Sequence, residues 1–130
     1  MSEYKKLLSL SLEELDIAET LLDNSRYRTC LSRSYYSMYY ATQALLLSKN
    51  IDTSTHKGTI RLFGQHFVKT GQISPELAKV LSDAYELRQL SDYDADFIGT
   101  PTQAEDILGQ ARAFVAEVMQ ILNAQDIDNP

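Results

Sequence analysis

The stretch Arg33-Ser34-Tyr35-Tyr36-Ser37-Met38-Tyr39-Tyr40 places four tyrosines and one permanent charge inside a run that otherwise reads as helix. At about 100° per residue, positions i, i+4 and i+7 nearly superimpose. That spacing predicts Arg33, Ser37 and Tyr40 on one face, with Cys30, Ala41 and Ala44 close by. Leu31, Tyr35, Met38, Thr42, Leu45 and Leu46 fall on the opposite face. A helix with this pattern buries most of its circumference. Its guanidinium has five donors and is never neutral, so it must find a partner.

Working outward, hydrophobic spacing predicts helices and nothing else. A first helix carries Tyr4, Leu7, Leu8, Leu12, Leu15, Ala18, Leu21 and Leu22 and ends at Asp23-Asn24-Ser25. Ser11 and Glu14 have the S-x-x-E spacing of a capping box, which predicts a break or restart near Ser11. A second, long helix runs from about Arg26 to Ser48. Ser54 or Thr55 caps a shorter third helix that stops at Gly71. Ser74 with Pro75 opens a fourth. Residues 92 to 101 read as an acidic, irregular connection, and a last helix begins near Thr102. The chain is expected to fray from about Ala124. Short connections between long amphipathic helices predict one domain over residues 1–130. Its fold class is all-α, an up-and-down antiparallel bundle of four long helices plus one short helix.

Composition narrows the function classes. A single cysteine, Cys30, excludes an internal disulfide framework and reads as a small packed side chain. The N-terminus lacks an apolar h-region, and the longest wholly apolar run is Ala44 to Leu47, so no membrane segment and a cytoplasmic location are expected. Net charge is −6, yet Arg26, Arg28, Arg33, Lys49, Lys57, Arg61 and Lys69 lie between Asn24 and Pro75 against the single acid Asp52. Such polarity reads either as a basic surface for RNA, a nucleotide or an acidic partner, or as a half that pairs with the acidic remainder.

The chemistry-bearing residues are few. Arg88 and Asp92 are four apart on one helix face, a spacing that permits a charge-assisted pair, and Tyr93 follows. Arg33 and Arg88 are placed to face each other across the bundle, with Asp92 offsetting both charges. The two histidines, His56 and His66, belong to no metal-ligand pattern and read as solvated or helix-capping. The series Asp92, Asp94, Asp96 lacks the glycine and distal glutamate of a calcium loop. No metal and no cofactor is expected.

Arg33 to Ala41, followed by Ala44-Leu45-Leu46-Leu47, resembles the central helix of small HEPN-domain proteins. The family pattern there is Arg-Ala-Tyr-Tyr-Ala-x-Phe-x-Ala-Ala and then an Ala-Leu-Leu run. Gly64 to Gly71 and Arg88-x-x-x-Asp92-Tyr93 fit the same family in order and spacing. The resemblance implies a homodimer. It implies metal-independent RNA cleavage where the arginine is followed four to six residues on by a histidine, in a cleft shared by two subunits. Here those positions hold Met38, Tyr39 and Tyr40, and a phenol is a poor base at neutral pH. In family members paired with a minimal nucleotidyltransferase, the partner adenylylates a tyrosine of this motif, and Tyr40 matches that position. The resemblance therefore implies Arg33 as catalytic candidate and Tyr40 as modification candidate; the helix face and the basic segment add Ser37, Tyr36, Lys57 and Arg61 as binding candidates. Arg88, Asp92 and Tyr93 form a structural polar cluster. The expected function is the HEPN half of a toxin–antitoxin-type module with a nucleotidyltransferase partner. The alternatives are a ribonuclease acting alone and a non-catalytic nucleotide-binding or scaffolding module.

Overall fold

The computed structural model describes residues 2–128, with side chains through residue 125. Five helices follow one another: α1 (Glu3–Asp23), α2 (Tyr27–Leu47), α3 (His56–Phe63), α4 (Pro75–Tyr93) and α5 (Pro101–Asp128). There is no strand among the described residues. The fold is the all-α, up-and-down bundle of four long helices plus one short one that the periodicity predicts.

Local chemistry sets most boundaries. Ser25 and Asn50 take left-handed φ values of 59° and 61°. Each lets the following amide reach back five residues, Arg26 to the Leu21 carbonyl and Ile51 to the Leu46 carbonyl, which closes α1 and α2. Thr55 accepts from the Gly58 amide at the start of α3, and Ser74 accepts from the Leu77 amide at the start of α4. Beyond Phe63 the chain widens into one π-type turn, Gly64–Val68, and ends at Gly71 with φ 82°. Only glycine adopts that angle without strain.

One expectation is corrected by the structure. Ser11 is no helix start, because α1 is continuous. Its hydroxyl donates across the bundle to the Ser37 carbonyl at 2.6 Å, and Glu14 turns to Arg33. The serine–glutamate spacing thus serves α1–α2 packing rather than a cap. Helix α5 runs to Asp128. Residues 129 and 130 lie outside the described residues.

Helix α2 is the hub. It packs against α1, α3, α4 and α5, and thirteen of its 21 residues are buried. Ser11 meets Ser37 while Glu14 meets Arg33, so α1 and α2 run antiparallel. Ser32 meets Asp92 while Tyr35 meets Tyr85, so α2 and α4 do too. Tyr35, Met38, Leu45 and Leu46 join Phe63, Phe67, Leu81 and Phe114 in one core. Each such side chain contributes about 1.5–3 kcal/mol by leaving water.

Arg28 locks the connection after α4 to this hub. Its guanidinium donates to the Ser91 carbonyl, to the Phe97 carbonyl at 2.9 Å and to the Asp94 carbonyl at 2.7 Å. The loop comes so close that a Cβ on Gly99 would sit 2.9 Å from the Arg28 backbone nitrogen. Gly99→Ala should therefore cost about 1–3 kcal/mol in urea unfolding, because the obstacle is backbone. Gly109→Ala, in open space on α5, should instead add about 0.5–1 kcal/mol. Equal effects of the two substitutions would contradict this packing.

Candidate functional site

On α2, the positions that keep solvent contact from Arg33 onward are Arg33, Tyr36, Tyr40, Gln43 and Leu47, before Ser48 closes the helix. They recur at three- and four-residue intervals and form a single open line on an otherwise enclosed helix. Arg33 and Tyr40 lie on it, as the spacing predicts. Ser37 does not. It is fully buried against α1, and its hydroxyl donates to the Ser34 carbonyl at 2.7 Å. The small serine lets the helices approach, and Tyr36 takes the outward position.

Arg33 is half in solvent. Its side chain is 35% exposed, and Nη1 lies 3.2 Å from the Glu14 carboxylate, which is 13% exposed. Burial raises the Glu14 pKa above its ordinary value, and Arg33 opposes that rise. The guanidinium also lies 4.8 Å from the Tyr36 ring centre, within cation–π range. Arg33 is thus neutralised by its own chain without being sealed from a ligand. Tyr40 sits 6.1 Å from the Tyr36 ring, and burial, with Glu14 next, raises its phenol pKa. A phenol so placed stays protonated at neutral pH and does not stand in for an imidazole base.

Arg88 and Arg33 do not share Asp92. Arg88 is buried, and its Nη1 lies 3.6 Å from Asp92 Oδ2, while Ser32 donates to Asp92 Oδ1 at 2.8 Å. The Arg88–Asp92 pairing expected from the four-residue spacing is present, though long. Asp92 and Tyr93 also lie on the last turn of α4 rather than in the loop after it. Lys57 and Arg61 are exposed on α3 and form no hydrogen bond or ion pair with the α2 line.

The residue that sequence reasoning missed is His56. It is half-buried, and the cap of its helix is Thr55. Its ring stacks on Tyr39 at 4.2 Å, and its Nδ1 shares a 2.7 Å hydrogen bond with the Tyr35 hydroxyl. Tyr85 stacks at 5.9 Å and Tyr36 meets it edge-on at 6.0 Å. Burial, then the Arg88 charge, lowers its pKa below the usual imidazole value. Burial raises the Tyr35 pKa well above that of a free phenol, so the pair is neutral. His66 lies elsewhere, in the π-type turn, where its carbonyl accepts from Thr70. The site is therefore an aromatic wall of Tyr35, Tyr36, Tyr39, Tyr85 and His56, flanked by Arg33 on the α1 side and Arg88 on the α4 side. Among the described residues no group of histidine, cysteine and carboxylates is placed to hold a metal.

Three comparisons bear on this geometry. A sequence model of the HEPN domain matches residues 4–122. The chain is 34% identical over 125 residues to "Putative toxin MJ0142" of Methanocaldococcus jannaschii, covering 96% of this chain and 85% of that protein. It is 34% identical over 120 residues to "Putative toxin MJ0605" of the same organism, covering 92% and 89%. The crystal structure of TT1696 from Thermus thermophilus superimposes with TM-score 0.78 over 92% of this chain and 98% of that one. At 17% identity that likeness shows a shared fold.

Because His56 has a lowered pKa in the fold, the unfolded chain binds its proton first as pH falls. Stability is then complete above the free imidazole value of about 6.5 and declines below it. The urea midpoint should therefore drop as the pH falls from neutral through about 6.5 and below. His56→Gln should lower the midpoint at neutral pH and flatten that drop. An unchanged pH slope in His56→Gln would contradict the half-buried neutral imidazole.

Proposed function

The chain belongs to the HEPN-domain family, and from that premise we propose that it is the HEPN component of a toxin–antitoxin-type pair. Its partner is a minimal nucleotidyltransferase, and the α2 line of Arg33, Tyr36 and Tyr40 is its working face. The observation that carries this is the enclosure of α2. Every other chemistry-bearing side chain of the motif is buried, and the residues left open are a cation and two phenols. A guanidinium beside ring faces is suited to a phosphate with an attached base, whether from RNA or a nucleotide. The two relatives named as toxins support the same reading. Tyr40 is the phenol of this face that corresponds to the modified position.

The chain works as a homodimer in this reading. Leu10 and Ile17, seven residues apart on α1, are exposed beside the Glu14 position. An α1-to-α1 contact would bury them and bring two Arg33 lines together. Light scattering should give twice the 14.7 kDa chain mass.

The reading as a ribonuclease acting alone is disfavoured by the same face. No imidazole lies on the line, and His56 already shares one ring nitrogen with Tyr35. Incubation with RNA in the absence of metal should give little cleavage dependent on Arg33. Co-expression with a small nucleotidyltransferase encoded beside it should give a stable complex. Arg33→Ala should weaken that complex, or RNA binding, about tenfold, since a charged hydrogen bond contributes about 1.5–3 kcal/mol. Vigorous metal-free cutting abolished by Arg33→Ala would replace this proposal with the ribonuclease.

A further inference from the structure

Arg88 is held in a way that its own chain does not complete. The side chain is 5% exposed. Its Cζ lies 5.4 Å from the ring centres of Tyr35 and Tyr85, 5.6 Å from Tyr36 and 5.7 Å from Tyr93. Four rings give diffuse attraction. The directed contacts are sparse. Nη1 donates to the Tyr93 hydroxyl at 3.4 Å and approaches Asp92 at 3.6 Å, both near the outer limit. Nε is buried with no partner. Buried polar groups are almost always paired, and a buried cation with unfilled donors is costly.

The cover over this cation is weakly held. Tyr93 is the last residue of α4 and is 76% exposed, with only that long hydrogen bond to fix its phenol. We propose that Arg88 is an anion-binding subsite capped by Tyr93, and that it takes a phosphate-type oxyanion when the Tyr93 ring turns aside. The oxyanion supplies the short, directed acceptors that the rings lack. Asp92, 28% exposed, is the competing anion, and Ser32 retains it at 2.8 Å when the pair opens. Both guanidiniums lie within 6 Å of the Tyr36 ring centre, at 4.8 Å and 5.6 Å, so a phosphate on Arg88 is next to the open line of α2. The subsite rests on the proposed working face for its role, while its chemistry needs no partner protein.

Two histidines make the test simple. His56 is faced by Tyr35, Tyr36 and Tyr39 of α2 and by Tyr85 and Arg88 of α4, with Lys57 beside it on its own helix. Burial, then the Arg88 charge, holds its pKa below the usual imidazole value. The probe is inorganic phosphate, titrated against chloride at constant ionic strength and followed by the His56 and His66 proton resonances. Phosphate should raise the His56 pKa and leave His66 unmoved. Tyr93→Ala and Asp92→Asn should each tighten phosphate binding several-fold, and Arg88→Lys should abolish it. Adenosine monophosphate in a parallel titration tells a phosphate ester from free phosphate. The proposal fails if phosphate acts no differently from chloride in both the natural chain and Tyr93→Ala, or if Arg88→Lys binds equally well. Neither outcome touches the partner complex, and loss of that complex would leave these titrations intact.

Discussion

Enclosure of α2 is the constraint from which the rest follows. Four other helices close on it, and the close approach on the α1 side is made by two serines at a 2.6 Å hydrogen bond. A helix so surrounded has to be small where neighbours press and aromatic or aliphatic where they leave room. What stays open is a single line, and Arg33, Tyr36 and Tyr40 occupy it. No other part of the motif meets solvent.

The two arginines that flank the aromatic wall are neutralised differently. Arg33 has a carboxylate at salt-bridge distance and keeps about a third of its surface in water. Arg88 has four rings and a long ion pair, and is almost sealed. A partly exposed pair such as Arg33–Glu14 adds little stability, about 0–1 kcal/mol. It holds the guanidinium in one place while leaving it partly in solvent. Tyr36 stands between the two charges and is the natural stacking surface. The neutral Tyr35–His56 pair behind it keeps the wall uncharged.

Much of this is legible in the sequence, for identifiable reasons. Helix number, most boundaries and the Ser74 cap follow from periodicity and short-range chemistry, which are local signals, whereas the choice of Thr55 over Ser54 as a cap does not. The open line is legible only to within one position. Helical angle alone does not distinguish Ser37 from Tyr36 as its middle residue, because the choice depends on which neighbour presses closer. Glu14 misleads for the same reason: its S-x-x-E spacing is a local signal, and its actual partner is nineteen residues on. His56 is beyond reach, since nothing near it in sequence announces that α3 begins against Tyr39. Arg28, which fixes the loop after α4, is equally invisible, because its acceptors are backbone carbonyls more than sixty residues away.

Hydroxyl-radical oxidation of the native protein, mapped by mass spectrometry, reads this enclosure directly, since Tyr35, Tyr36, Tyr39 and Tyr40 are neighbours on one short peptide. Oxidation is expected at Tyr36 and Tyr40, with Tyr35 and Tyr39 protected until the chain unfolds. Equal oxidation of all four in the native state would mean that α2 is not the buried hub, and the single open line would vanish with it.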